Sequence, residues 1–416
     1  MTSDGHDARP TLLVPFGLYT RHMLASHTRH VFVIGIALLC IALAMDVPPQ
    51  IPGVLATAPN YGNLDKAVLL GRFALLRGAD LLPRFIPLVT FLAVMWTEMG
   101  LTLSRERILI WNTGRSTLQC VLPALLIAIP LGALQFACDT YLRPAAMDAQ
   151  IKERLGKLGV QFDRGLAKDS KWVALGNDLI QTRFEFGPPV VLHDVAIYRL
   201  NKLGRLREVV NAQSAIPAAE RGHWILRHGS YWTIPPESRT GPASVAIFTR
   251  GTKATAISFD RRLVSLDADP LWLSLWGIGP DYLPERTLVD IVHNSFESNP
   301  PDIFVTRMRF NYANALMPGA MALLAETLCL LLLANGVPSV RLQLATLLAG
   351  YGGHLAMKTF SLLGEHEYMN SLLATTIAPV GLLTLSCVLL ASAESRRQGS
   401  KLNWPRVLDH LRSATK

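Results

Sequence analysis

Hydrophobic and polar positions are segregated along this chain rather than interleaved. Apolar runs occupy both ends, at 31–45, 81–103 and 117–140, and again at 312–334, 342–363 and 372–391. A helix needs ~20 apolar residues to cross a bilayer, so each run is read as one span and about six are expected. The first run is short and must borrow turns from 12–30, where Arg21, His22, Arg29 and His30 interrupt apolar residues as in an interfacial helix. The stretch VPPQIPG at 47–53 then ends it, because clustered prolines cannot continue a helix. Residues 67–76 read as an amphipathic approach to the second span, which carries Pro83 and Pro87 near its start. Pro123 and Pro130 interrupt the third, where neighbouring helices can satisfy the freed backbone groups. The linker at 337–341 is short enough for a tight turn only.

Between the two apolar blocks the pattern changes to short runs rich in branched and aromatic residues, at 179–186, 190–200, 207–216, 223–234 and 254–263. Gly, Pro, Asn and Asp clusters separate them, which is the mark of strands joined by turns. Asn201 to Gly204 reads as a hairpin turn, and 284–294 as a helix returning the chain to the membrane. A sandwich and a jelly roll fit this spacing equally. The chain therefore divides into a helical part at 1–143, a β domain at 144–306, a second helical part at 307–393 and a polar tail at 394–416.

Half of the 416 residues are hydrophobic, and the net charge is +9. Nucleic acid is excluded as the partner, since Lys and Arg gather beside the apolar runs and form no basic stripe with interleaved aromatics. They orient the chain instead. The N-terminal segment, the stretch 104–116, Arg341 and the tail from Arg396 are basic, while 364–370 has no Lys or Arg. By the positive-inside rule both termini are cytoplasmic and the β domain lies outside. Cys40, Cys120, Cys138, Cys329 and Cys387 sit in or beside apolar runs, which argues against disulfides or a zinc site. No cleavable signal peptide is evident in the polar N-terminus.

Catalytic constellations are lacking. There is no Gly-rich phosphate loop, so ATP and Mg, if used, must be bound by another subunit. The sequence Gly364-Glu365-His366-Glu367-Tyr368 would need a second His at 370 to hold zinc, and Asn370 stands there. His223 and His228 fall five apart in a strand and are expected on opposite faces. Charges inside the spans say more, because each costs at least ~2.5 kcal/mol at mid-bilayer. Glu98 lies near the cytoplasmic end of the second span, and Glu326 about 12 Å into the fourth at the helical rise. Lys358 lies about 25 Å up the fifth, so His354, one turn below it, is the nearer partner expected for Glu326. Lys358 with Arg72, Arg77, Arg84, Arg307 and Arg309 falls at the outer level. Such a ring of cations can grip a phosphorylated headgroup, although snorkelling to lipid phosphates explains each one singly.

The most distinctive stretch is SRERILIWNTGRS at 104–116. As a helix it carries Glu106 and Arg107 at its start, places Ile108, Leu109 and Trp111 toward one side, and can end at Gly114. It suits a basic helix lying on lipid or a knob that docks into a cytoplasmic partner.

With the glycine eight residues after Glu106, this stretch resembles the coupling helix of the LptF/LptG-type lipopolysaccharide export permeases, whose pattern is Ser-Glu-Leu, then Ala-x-Gly, Ile or Phe, and Ser or Thr. Asp139-Thr140-Tyr141-Leu142-Arg143-Pro144 is similar to that family's exit from the third span. Residues 309–318 resemble its entry to the fourth, and HWILRHG at 223–229 a recurring Trp-x-Leu-x-x-Gly. The resemblance implies six spans, a periplasmic β jelly roll and a Gram-negative inner membrane. It implies a second LptF/LptG-type permease, a cytoplasmic ABC ATPase dimer that binds ATP and Mg, and a periplasmic bridge protein of LptC/LptA type. Lipopolysaccharide would enter between the first span of one permease and the fifth of the other. Glu106 would pair with an Arg of the ATPase, and Ile108 and Trp111 would fill its groove. Two departures stand out: Arg107 replaces the usual apolar residue, and the first span has no Lys or Arg, which moves the expected lipid grip to Arg72, Arg77 and Arg84. A membrane-anchored enzyme acting on envelope glycolipid through its β domain is the alternative from another class.

Overall fold

Continuous helices account for most of the chain's ends. The computed structural model describes residues 17–57, 62–161, 169–186, 189–201, 203–220, 222–233, 256–266, 270–275, 277–294, 302–332 and 340–397. Contacts divide it into two units, one ending at Met147 and resuming at Val305, the other from Asp148 to Phe304.

In the first unit the interfacial helix and first span are one helix, α1 (Leu18–Asp46). It stops where Pro48 and Pro49 tighten the chain into a 3-10 turn before α2 (Ile51–Ala56). The approach helix and second span likewise merge into α3 (Asn63–Leu103), 41 residues long with Pro83 and Pro87 inside it. After α4 (Glu106–Asn112) comes α5 (Thr117–Ala137), which a π turn at Cys138–Leu142 joins to α6 (Arg143–Lys152). Helix α7 (Gly156–Gln161) belongs to the second unit.

The chain returns through α10 (Asp302–Ala315) and α11 (Met317–Leu332), bent by 44° at their junction, then α12 (Val340–Glu365) and α13 (Ser371–Arg397). The expected turn at 337–341 lies largely outside the described residues. Among the described residues four helices are long and apolar enough to cross a membrane, or five if the bent pair α10 and α11 is counted as one span. Helix α12, expected as a span, has 26 residues but carries Arg341, His354, Lys358 and Glu365 and is not among them.

Small residues let these helices approach. The core joins Phe91 and Val94 of α3, Ala124 and Ala128 of α5, Met321 and Ala325 of α11, and Met357 of α12. At Gly350 an added Cβ would stand 2.2 Å from the Phe91 ring, so only glycine fits. Close packing of this kind replaces the hydrophobic drive that lipid does not supply. Helix α1 is the exception, for no position in its most apolar window is buried within the chain.

In the second unit six strands form one antiparallel sheet in sequence order: β1 (Lys171–Leu175), β2 (Asp178–Glu185), β3 (Val191–Leu200), β4 (Leu206–Pro217), β5 (His223–Thr233) and β6 (Ile257–Ser265). Five follow the predicted runs; β1 was not expected. Its one buried side chain is Val173, and Trp172 stacks on Tyr198 at 5.5 Å. Among the described residues the strands make a meander without jelly-roll crossovers, and 234–255 between β5 and β6 lie outside them. The β3–β4 turn is the expected one: Asn201 Oδ1 accepts from the amides of Leu203 and Arg205, and Gly204 takes φ +73°. Short helices α8 (Pro270–Ser274) and α9 (Glu285–Asn294) follow.

Trp224, Ile197, Val210 and Leu226 are fully buried on one face of the sheet. Each such side chain contributes about 1.5–3 kcal/mol. A row of residues without ladder partners crosses β3 to β6: Asp194, Gln213, His228 and Asp260. Asp194 and His228 have φ +51° and +49°, and an extra residue of this kind bends a strand. The row lines a shallow cleft of about 790 Å³. His223 and His228 are both accessible and meet different acids, His228 lying 2.7 Å from Asp260 and His223 3.9 Å from Glu220.

Candidate functional site

A sharp corner sets the geometry of 104–116. Helix α3 ends as Ser104 donates its amide to the Gly100 carbonyl, and Arg105 then takes a left-handed φ of +62°. That turn starts α4, and Gly114 at φ +79° ends it, as glycine does after a helix. Ser116 and Gln119 cap α5 reciprocally, each bonding to the other's backbone amide.

Helix α4 has two faces. Glu106 is exposed, as are Ile108 and Leu109 at 52% and 66%. Arg107 is 3% exposed, and Trp111, one turn on, shares its face and packs against Val121, Leu323 and Leu330. Of the two residues expected in a partner's groove, Ile108 is exposed and Trp111 is half-buried against the bundle. Arg107 and Trp111, four apart, share the inward face.

What draws it is a pair of buried acids. The Arg107 guanidinium contacts the Glu98 carboxylate of α3 and stands 3.6 Å from Glu326 of α11. Glu98 is 1% exposed rather than interfacial, and Glu326 is 0% exposed. The ionic partner of Glu326 is thus Arg107 and not His354, because α4 tucks its Arg back into the bundle instead of lying flat. His27 of α1 completes the cluster, a ligand atom of His27, Glu98 and Glu326 all lying within 4.8 Å of one another. Such donors suit a divalent cation, but here the guanidinium supplies the positive charge.

Further ties surround this corner. Arg115 lies over the Tyr19 ring of α1 at 4.3 Å, and the Thr117 hydroxyl donates to Glu394 of α13. The segment therefore reaches α1, α3 and α11, and the first residue of α5 after it reaches α13.

The expected ring of cations is largely occupied by aspartates. Arg77 donates to Asp46 at 2.7 and 3.0 Å and to Asp80 at 3.0 Å. Arg84 and Arg143 meet the same Asp80 at 3.2 and 2.8 Å. Arg307 faces Asp139 at 3.4 Å and lies over the Phe310 ring at 5.0 Å. Asp139 also accepts from Gln135 at 2.6 Å and Asn314 at 2.7 Å, while Arg309 donates to Ser371. Arg72 and Lys358 are exposed, and His354 is half-buried. Sequence reading missed Asp46 and Asp80 and noted Asp139 and Arg143 only within the motif at 139–144, although Asp80 stands three residues after Arg77 and four before Arg84, spacings that pair on a helix.

The two ionic layers meet α3 at two levels, Asp80 near its middle and Glu98 near its C-terminal end. Asp80 and Glu98 are separated by about 27 Å at the helical rise, close to the ~30 Å of a hydrocarbon core. Apolar helices carrying charge at these two levels, with an inserted sheet, define a multi-pass membrane protein. The family model described as lipopolysaccharide export system permease LptF/LptG matches residues 29–392, and the chain belongs to that family. It is a family of transporter permeases rather than an enzyme class. No curated protein matches the chain.

Proposed function

We propose that this chain is the permease subunit of an ABC transporter that extracts lipopolysaccharide from the outer leaflet of the inner membrane and passes it to a periplasmic bridge. A separate ATPase dimer, binding ATP and Mg, powers it through 104–116, and a second LptF/LptG-type permease packs against the outward apolar face of α1. Both termini are cytoplasmic, and the β unit is periplasmic. Arg72 and Lys358, both exposed, are the residues of the expected cation ring best placed to meet lipid phosphates.

One observation carries this reading beyond family membership. The corner at 104–116 presents an acid and two apolar side chains outward, at Glu106, Ile108 and Leu109, while its inner face is anchored in the bundle. An exposed acidic and apolar knob on an anchored base is what a partner with a basic-rimmed groove would grip. Glu106→Arg tests it: the variant is expected to insert and fold yet lose most of the ATPase that co-purifies with the complex. Full recovery of the ATPase would sink the docking assignment.

A further inference from the structure

Arg107 points away from the proposed docking face, so docking does not explain it. Two carboxylates buried in an apolar bundle are costly, and one guanidinium is shared between them. The tie to Glu326 is ionic more than directional: both its oxygens lack hydrogen-bond partners of good geometry, and the guanidinium stands 3.6 Å away. Coulomb attraction falls slowly with distance, whereas a hydrogen bond weakens steeply with angle. A contact of this kind holds its partners together while letting them shift. It also joins α4 to α3, from the first half of the chain, and to α11, from the second.

We infer that Arg107 is a positioning residue: it latches the docking segment to Glu98 and Glu326, so that movement of the segment is passed to α3 and α11 together. This rests on the proposed docking of an ATPase at 104–116. Trp111 adds apolar contact on the same inner face, and Arg107 supplies the charge that holds both helices.

The test uses the whole complex, with its ATPase and second permease, in lipid nanodiscs loaded with lipopolysaccharide. Three quantities are read: ATPase recovered, ATP hydrolysed, and lipid released per ATP. Arg107→Gln should keep ATPase recovery and hydrolysis within about twofold. Its lipid release per ATP should fall at least about fivefold, and Arg107→Lys should regain part of the loss. Because Arg107→Gln leaves two acids buried together, the triple variant Glu98→Gln, Arg107→Met, Glu326→Gln is the control; it leaves no charge in the cluster and should uncouple equally. Unchanged lipid per ATP in either variant overturns the inference. So does loss of the ATPase from both, or failure of both to accumulate, since Arg107 would then be a prop of the fold. If Glu106→Arg keeps its ATPase, the docking reading fails independently of any Arg107 result.

Discussion

Two levels of α3, at Asp80 near its middle and at Glu98 near its C-terminal end, meet the same kinds of residue in opposite conditions. At one level Asp46, Asp80 and Asp139 are met by Arg77, Arg84, Arg143 and Arg307 at 2.7–3.4 Å, with Gln135 and Asn314 filling positions on Asp139. At the other, two glutamates share one arginine and several polar atoms lack hydrogen-bond partners. Buried polar groups are normally satisfied, and a cluster left short of partners asks for a reason. The better-paired level reads as a clamp that fixes helices: Arg84 Nε and Gln135 Oε1 still lack good hydrogen-bond partners, but every carboxylate meets a guanidinium at 2.7–3.4 Å. The short-handed level reads as a joint.

The sharpest way to break the comparison is Asp80→Asn. It removes a carboxylate shared by three guanidiniums and should cost about 3–5 kcal/mol, seen as loss of folded protein in detergent. Survival of that variant at wild-type yield would show that the clamp is no more structural than the joint. A smaller loss is expected from Gly350→Leu, where the side chain must displace Phe91: about 1–3 kcal/mol, read as a lower melting temperature with the ionic levels untouched.

The smallest effect lies in the sheet, which has a satisfied cluster of its own. Arg199 bridges Asp178 at 3.4 Å and Glu208 at 3.2 Å and donates to the Ser265 carbonyl at 2.7 Å. Burial raises the Asp178 carboxyl above its ordinary value, against the opposing pull of Arg199. A raised folded value means that the folded state holds this proton more tightly. Its contribution is complete below the unfolded value and is lost as pH rises through the folded one. Asp178→Asn should therefore raise the melting temperature slightly at pH 7, by about 1–2 °C, and the gain should vanish in acid. A gain that grows in acid would reverse the assignment.

Much of this was legible from pattern alone. Long apolar runs fixed the helices and period-two runs fixed five strands, because in both cases one face must be apolar along its whole length. Strand β1 escaped because five residues with one buried side chain carry no period. The continuous α3 was read as two pieces, since charges and prolines look like breaks until packing bridges them, whereas α1 does take turns from 18–30 as expected. Glu106, Arg107 and Gly114 were legible as one device, but which way Arg107 faced was not. That depends on Glu326, about 220 residues later, and local periodicity carries no information on such a contact. The aspartates beside Arg77, Arg84 and Arg307 escaped for a related reason: cations were counted along the chain without the acids packed against them.

The claim on which everything turns is that 104–116 is gripped from outside and anchored from inside. Photo-crosslinking in the intact complex tests it most directly, with the reactive residue placed at Leu109 in one preparation and at Trp111 in another. The account predicts an adduct between Leu109 and the ATPase and none from Trp111. Capture of lipid alone at Leu109, or of the ATPase at Trp111, would contradict it.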